Sequence, residues 1–293
     1  MMGYVFAFAT VLCGITKGFC GKKISKYTAQ PYQAAVFTCI RMLLCCAVGF
    51  LLVLAEGSTL RVSWKVLLIA AASGTATAVF SICWLMAVRR NVYTLVDMFC
   101  TLSILIPLGC AWIFYGESMG GFDFLGLTLL LVSAWIFGSY NATEKQKLRP
   151  VDLLLLLLLN ISLGTSSFLQ KVFSYSEESG GAAVYNFYTY LFAAGALTVY
   201  LFFAAKRSSS DAEPPKTVWL LVGIMALCLF GSSFFSTCAA SFLRAAQLYP
   251  LTQGASLILS AVMAAVFFGE KITVRVIIGC ITCFAGLLLL NLL

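Results

Sequence analysis

Long apolar runs separated by short polar turns extend along the whole chain. Ten runs can be marked, each close to the roughly 20 residues that a helix needs to cross the hydrocarbon core of a bilayer. They lie at about residues 3–21, 33–55, 64–88, 92–115, 122–140, 152–172, 182–204, 218–243, 247–268 and 274–293. The runs are continuously apolar, whereas the strands of a membrane barrel alternate apolar and polar positions. The pattern predicts an all-α polytopic membrane protein with ten transmembrane helices.

Composition also indicates a lipid environment. Of the 293 residues, 61% are hydrophobic and 10% are charged, whereas a soluble domain is about half apolar and a quarter charged. A chain with so few polar residues could not cover a water-exposed surface, and the same values exclude a disordered chain, a collagen and a coiled coil. The net charge of +8 is scattered through short loops, so we attribute it to membrane orientation and expect no nucleic-acid partner.

The loop charges predict an orientation in the membrane. Thirteen Lys and Arg residues lie in loops on one side and four in loops on the other. Basic loops usually face the cytoplasm, which would place both termini outside. We expect an integral protein of the bacterial cytoplasmic membrane.

The sequence carries no pattern for a metal or another cofactor. Its twelve cysteines lie within apolar runs, and the pair Cys280 and Cys283 lacks further ligands because the chain contains no histidine. Paired carboxylates that could serve as acid and base are also missing. We interpret the cysteines as small packing residues and predict neither a cofactor nor an enzyme.

The two halves of the chain resemble each other on either side of the polar stretch 141–150. Four pairs of landmarks occur in the same order: Ala34-Ala35-Val36-Phe37 with Ala182-Ala183-Val184-Tyr185, Tyr93 with Tyr249, Tyr115-Gly116-Glu117 with Phe268-Gly269-Glu270, and Gly126 with Gly279. Their separations are 148, 156, 153 and 153 residues. We therefore predict two five-helix repeats, residues 1–145 and 146–293. Because each has an odd number of helices, the repeats must be inverted in the membrane, as in many secondary transporters.

These landmarks also carry a family resemblance. Each half has a Gly-Glu at a helix end followed by a glycine ten residues later: Gly116-Glu117 with Gly126, and Gly269-Glu270 with Gly279. With the helix count and the duplication, the chain resembles the drug/metabolite transporter superfamily in its ten-helix EamA-like branch. The resemblance implies a secondary transporter of a small metabolite, often an exporter, that works by alternating access. It does not indicate the substrate.

One feature departs from a branch of this superfamily. Small multidrug members carry a glutamate within the first helix, whereas the first run here contains Lys17 and no acidic residue. The resemblance therefore does not extend to proton exchange for lipophilic cations at a first-helix carboxylate.

Three ionisable residues lie within the predicted membrane spans: Lys17, Arg41 and Asp97. Each costs roughly 2.5–3.5 kcal/mol on insertion scales, so a role is expected for each. All three lie toward the same, basic side, where Asp97 could pair with Lys17 or Arg41. The structural interpretation is a snorkelling lysine and an ion pair. The functional interpretation is a net positive site for an anion or for the carboxylate of a zwitterion, with Asp97 as a proton-coupling candidate.

Uncharged polar and aromatic residues complete the predicted substrate site. Gln253 corresponds to Asp97 in the second half, and a polar stripe marks the sixth and eighth helices. The polar candidates are Ser166, Gln170, Ser236 and Gln253, and the aromatic candidates are Trp84, Tyr93, Tyr185 and Tyr188. Helix packing by small hydroxyl residues and interfacial aromatic belts are the alternative explanations.

We predict a secondary active transporter that exports amino-acid-like or other small polar or amphipathic compounds. The expected partners are a small-molecule substrate, the lipid bilayer, and a coupling proton or exchanged solute. One alternative is a transporter of quaternary amines held in an aromatic cage of Tyr185, Tyr188 and Phe192, which share one helical face. A nucleotide-sugar-type exchanger is a further alternative. An enzyme acting on lipid-linked substrates and a membrane scaffold are the competing classes.

Overall fold

The computed structural model describes residues 2–27, 31–90, 93–117, 120–143, 149–176, 181–204, 216–269 and 273–291. Across these ranges the chain is helical and contains no strand. The helices are α1 (Met2–Ile24), α2 (Pro31–Ala55), α3 (Trp64–Arg90), α4 (Tyr93–Leu102), α5 (Leu105–Tyr115), α6 (Gly121–Thr143), α7 (Pro150–Tyr175), α8 (Ala182–Ala204), α9 (Lys216–Ala240), α10 (Ala245–Phe268) and α11 (Val274–Asn291). A short 3-10 turn, Ser25–Tyr27, follows α1.

Most of these helices are long and apolar enough to cross a bilayer. Eight candidate spans are found in the described ranges, one of which, Leu95–Tyr115, runs through both α4 and α5. Two shorter apolar helices, Gly121–Ile136 and Val274–Leu290, accompany them. Large apolar side chains point outward, and Trp135, Phe202 and Phe203 are at least 74% exposed. The predicted polytopic membrane protein is therefore confirmed, because only lipid can cover such a surface.

The predicted fourth segment, 92–115, is not one continuous helix. Pro107 has no N–H to donate to the carbonyl of Ser103, which instead accepts the N–H of Ile106 at 3.2 Å. The N–H of Ser103 bonds the Cys100 carbonyl at 3.1 Å, so α4 ends in a tighter turn and α5 begins after it.

The tighter turn leaves a main-chain carbonyl without its usual partner. The carbonyl of Phe99 would accept the N–H of Ser103 in a continuous helix. It accepts the side-chain Nδ2 of Asn160 in α7 at 2.8 Å instead. A lipid environment offers no water to such a group, so this side chain makes the interruption tolerable.

Packing pairs helices from the two halves of the chain. α1 lies against α9 and α7 against α3, while α2 packs on α8 and α6 on α11. The contact of α6 with α11 depends on glycine. A Cβ atom added at Gly126 would lie 2.8 Å from the carbonyl oxygen of Gly286, and one added at Gly286 would lie 2.8 Å from that of Gly126. Small residues let membrane helices approach closely, and the van der Waals contacts that result stabilise the helix pair.

A charged cluster joins four helix ends near one edge of the fold. The Nζ of Lys171 in α7 lies 3.4 Å from Glu117 Oε1, and these side chains are 4% and 13% exposed. Glu117 also accepts the hydroxyl of Tyr175 and, at 2.8 Å, the N–H of Ala245 at the start of α10. Lys171 in turn donates to the carbonyl of Ala240, the last residue of α9, at 3.1 Å and to that of Leu243, in the turn before α10, at 2.8 Å. We call Lys171, Glu117 and Tyr175 the clamp.

The clamp predicts a large effect of Lys171→Met on stability. The substitution leaves Glu117 buried without its cation and two carbonyls without a donor, and removal of one partner of a buried pair costs about 3–5 kcal/mol. We expect a markedly lower thermal unfolding midpoint in detergent.

The control is Arg90→Gln, which removes the ion pair of Arg90 with Asp152, where Arg90 is 40% exposed. Exposed pairs contribute about 0–1 kcal/mol, so this midpoint should change little. Equal midpoints for both variants would contradict a stabilising clamp.

Candidate functional site

A polar cavity of about 180 Å³ lies between helices of the two halves. Its walls come from α1, α3 and α4 of the first half and from α7, α8, α9 and α10 of the second. Helices α2, α5, α6 and α11 contribute none of the lining side chains among the described residues. Both halves of the chain therefore contribute side chains to the cavity wall.

The size of the cavity limits what it can hold. An apolar cavity of about 150 Å³ accommodates benzene, and sites for drug-sized ligands run from about 300 Å³ upward. On the same scale, a volume of about 180 Å³ suits a solute of roughly seven heavy atoms. The lining contains many hydroxyl groups, so a polar solute fits it better than benzene.

The structure places most of the predicted site residues on this cavity. Tyr93 begins α4, but its side chain is outside the described residues. Arg41 and Tyr188 are not part of the lining. The other predicted residues all line it: Lys17, Trp84, Asp97, Ser166, Gln170, Tyr185, Ser236 and Gln253.

Two opposite charges face the cavity without touching each other. Lys17 projects from α1, and its ammonium group lies 5.9 Å from the centre of the Phe80 ring. Asp97 projects from α4 and accepts the hydroxyl of Ser260 in α10. No Lys17–Asp97 pair within 4.0 Å forms in the described structure. The ion pair that the sequence allowed is thus replaced by two separate charges at one cavity.

Arg41 is a correction to the predicted site. It lies between α2 and α9, is 3% exposed, and donates from Nη1 to the sulfur of Met225 at 3.3 Å. Its Nε has no partner in the described structure. The sequence indicated which side of the membrane Arg41 is nearer to. It did not indicate which face of the helix points toward the cavity, because this helix is apolar on all sides.

Tyr188 is the second correction. Its hydroxyl donates to the carbonyl of Leu60 at 2.8 Å, away from the cavity, and its ring packs edge-on against Phe187. Tyr185, one turn earlier, lines the cavity and stacks on Phe173 with ring centres 4.2 Å apart. Phe192 packs in the interface of α8 with α3, beside Gly74. These three aromatic residues therefore do not form a cage around the cavity.

A hydrogen-bonded network forms one wall of the cavity. Gln170 Nε2 donates to Thr237 Oγ1 at 2.8 Å and to the Ser233 carbonyl at 3.2 Å, and its Oε1 accepts Ser236 at 2.9 Å. Asn186 donates to Thr237 at 3.0 Å and accepts the hydroxyl of Ser233 at 2.5 Å. The network fixes the predicted residues Gln170 and Ser236 in place. The sequence analysis missed Asn186, although an amide side chain in an apolar helix is itself a signal.

Other polar residues are tied between neighbouring helices. Ser166 in α7 lies 3.1 Å from the hydroxyl of Thr77 and 3.4 Å from that of Ser73, both in α3. The hydroxyl of Tyr249 in α10 donates to the carbonyl of Ser167 at 2.6 Å. These contacts hold the cavity walls together across the two halves of the chain.

Gln253 and Ser256 on α10 differ from the hydrogen-bonded polar residues of the lining. Both face the cavity, and neither side chain makes a hydrogen bond within the part of the chain that the structure describes. Their donors and acceptors are therefore available to a ligand, together with the charges of Lys17 and Asp97. Ser256 was not predicted, because a single serine in an apolar run is more often a packing residue.

An apolar helical body around a small polar cavity is the architecture of a membrane transporter of small molecules. Residues 151–292 match the EamA-like transporter family, which confirms the resemblance to the drug/metabolite transporter superfamily. The eight apolar helices and this match together indicate an integral membrane transporter with a small-molecule substrate.

Solved structures share the fold. Among 28 similar chains, one titled only as the crystal structure of a protein has a TM-score of 0.74 at 15% identity, with 99% of this chain and 96% of that chain covered. At this identity the similarity concerns the fold alone. A comparison with curated proteins finds no match.

Two serines of the lining provide a matched test of the network. Ser236→Ala removes a 2.9 Å bond to Gln170, whereas Ser256→Ala removes a hydroxyl without a partner in the described structure. A typical hydrogen bond contributes about 0.5–1.5 kcal/mol. We expect a lower thermal unfolding midpoint in detergent for Ser236→Ala only, and equal midpoints would contradict a structural role for the network.

Proposed function

We propose that the chain is a secondary active transporter of small amino-acid-like zwitterions, working by alternating access. The observation that carries the proposal is the pair of separated charges, Lys17 and Asp97, on one small cavity between the two halves. The match of residues 151–292 to a transporter family supports transport, and the chemistry of the cavity supports this substrate class.

The charges are complementary to a zwitterion. An ammonium group and a carboxylate inside the membrane are each costly, by roughly 2.5–3.5 kcal/mol on insertion scales. A zwitterion compensates both at once, because its carboxylate binds Lys17 and its ammonium group binds Asp97. Such charge-assisted hydrogen bonds are about twice as strong as neutral ones. A solute with one charge would leave the other side chain of the pair without a partner.

Uncharged side chains of the lining can also bind a zwitterion. Gln253 and Ser256 can donate to the carboxylate of the solute or accept from its ammonium group, because neither is engaged by the described residues. A cavity of about 180 Å³ admits a small amino acid and leaves no room for a nucleotide sugar. We therefore prefer an amino-acid-like substrate to a nucleotide-sugar-type exchanger, and the position of Tyr188 gives an aromatic cage for quaternary amines less support.

We also propose ten membrane spans in two inverted repeats, residues 1–145 and 146–293. Packing supports this arrangement, since the contacts occur in matching sets: α1 with α9 as α7 with α3, and α2 with α9 as α8 with α3. An exchange of the halves converts each contact into its counterpart. The two shorter helices, Gly121–Ile136 and Val274–Leu290, are the last of their repeats in this proposal.

Local details repeat in the same way. α5 and α10 both end at a left-handed glycine, Gly116 with φ 61° and Gly269 with φ 68°, which lie 153 residues apart. Lys22, near the end of α1, donates to the Val88 carbonyl at the end of α3 at 2.9 Å. Lys171 of α7 donates to the Ala240 carbonyl at the end of α9 and to the Leu243 carbonyl in the turn that follows. The first helix of each half thus caps the third.

Inverted repeats allow the cavity to open alternately to the two sides of the membrane. In the proposed cycle the repeats rock against each other around the bound solute. We assign export as the direction and the bacterial cytoplasmic membrane as the location. Asp97 is the proposed site for a coupling proton, because a carboxyl group on the cavity can bind either the ammonium group of the solute or a proton.

The substrate site is tested by Lys17→Met and Asp97→Asn in proteoliposomes loaded with an amino-acid mixture. We expect each variant to lose at least about 90% of solute flux, because the carboxylate or the ammonium group of the substrate loses its opposite charge. Flux is measured by mass spectrometry of the solutes that cross the membrane.

Two matched controls distinguish loss of the site from loss of the fold. Lys23→Met removes an exposed cation near the end of the same helix, and Asp123→Asn keeps a residue that can accept the Gly120 N–H at the start of α6. Neither lines the cavity, so both should retain flux. Wild-type flux in Lys17→Met and Asp97→Asn would remove the proposed site, and absence of flux of any amino acid in the wild type would remove the substrate class.

A further inference from the structure

Gly14 in α1 occupies an unusual place on the cavity wall. It lines the cavity one turn before Lys17, so both residues lie on the same face of the helix. A Cβ atom added at Gly14 would lie 3.9 Å from the hydroxyl oxygens of Ser232 in α9 and Ser256 in α10. No other heavy atom would lie closer than these two.

Some glycines of the fold are required by close packing. A Cβ atom at Gly21 would lie 2.4 Å from the ring of Trp84, and one at Gly74 would lie 2.4 Å from the carbonyl oxygen of Thr189. Gly14 differs from both, because 3.9 Å is an ordinary van der Waals distance. Packing thus leaves room for alanine at this position.

Backbone conformation does not require glycine at position 14 either. Gly14 lies in the middle of α1, where glycine destabilises a helix relative to alanine. The positive φ angles of the described glycines occur at Gly57, Gly116 and Gly269. Neither the backbone nor the neighbouring side chains require glycine at this position. The same holds for Gly109, Gly195 and Gly223, which have nothing within 4 Å of an added Cβ, but Gly14 differs from these three because it lines the cavity, where the missing side chain leaves space.

We propose that Gly14 sets the upper size limit of the substrate. This inference rests on the proposed binding of a zwitterion by Lys17 and Asp97. Once these residues hold the charged groups, the side chain of the solute occupies the space beside Gly14, Ser232 and Ser256. Gly14 is thus a specificity-determining residue, and the substrate class is narrowed to zwitterions whose side chain fits that space.

The volumes make the effect measurable. A methyl group is similar in size to a water molecule, which occupies roughly 30 Å³. Alanine at position 14 would therefore remove about a sixth of the cavity of about 180 Å³, and leucine, with four carbon atoms, more than half. Both residues are good helix formers, so neither change weakens α1 through its propensity.

The experiment compares wild type, Gly14→Ala and Gly14→Leu with the probes glycine, alanine, valine, leucine and phenylalanine. Binding is measured by ligand-induced thermal shift and by competition for flux in proteoliposomes. We expect Gly14→Ala to weaken the largest bound amino acid about tenfold relative to the smallest, in line with the effect of one methylene in a fitted pocket. Gly14→Leu should shift the limit further, so that only the smallest probes bind.

Gly223→Ala is the matched control. Gly223 lies within α9, has nothing within 4 Å of its added Cβ, and does not line the cavity. This variant gains the same helix propensity and should keep the wild-type order of the probes. The ligand-free unfolding midpoints of Gly14→Ala and Gly223→Ala should both equal or exceed the wild-type midpoint.

Three results would overturn the inference. A ligand-free midpoint of Gly14→Ala below that of wild type would mean that Gly14 is required by packing. Equal weakening of small and large probes would mean a general defect of the site, and an unchanged size limit would mean that the solute does not occupy this space. If wild type binds a series of n-alkylamines and no amino acid, the proposed substrate fails, and the same size comparison on the amine series still decides the role of Gly14.

Discussion

The absence of water around the chain is the constraint on which the rest of the structure depends. Main-chain polar groups in hydrocarbon must find partners within the protein, and helices satisfy this requirement within each segment. The interruption between α4 and α5 shows how strictly it applies. Pro107 has no N–H for the carbonyl of Ser103. In the tighter turn, the N–H of Ile106 bonds this carbonyl and the N–H of Ser103 bonds that of Cys100. Asn160 from α7 supplies the donor for the Phe99 carbonyl. A local defect of one helix is thus repaired by a residue of the other half.

The same constraint explains why charge is concentrated in few places. Lys171 and Glu117 are buried, but each has several partners, and together they serve the ends of α9 and α10. Lys17 and Asp97 are different, because they face a cavity and leave most of their hydrogen-bonding capacity unused among the described residues. We therefore assign the first pair to the framework of the fold, and the second pair is the proposed binding site.

The sequence predicted the positions of the helices well and the helix faces poorly. Length and hydropathy place an apolar run in the membrane, but a helix surrounded by lipid and by other helices has little polar contrast around its circumference. Lys17 and Arg41 therefore looked equivalent, although the first faces the cavity and the second packs on Met225. Tyr188 shared a helical face with Tyr185, yet its hydroxyl donates to the carbonyl of Leu60 and its side chain does not line the cavity. Which face of such a helix points toward the cavity depends on the helices that pack around it.

The contacts of Glu117 and Lys171 have a mechanical consequence. The Glu117 carboxylate, just after α5, accepts the N–H of Ala245 at the start of α10. The Lys171 ammonium group of α7 donates to the carbonyls of Ala240 at the end of α9 and of Leu243 in the following turn, so the turn between α9 and α10 is anchored at a single point. Any widening of the protein at this edge must either separate these charges or carry four helix ends along together. Displacement of one of these helix ends would therefore involve the other three.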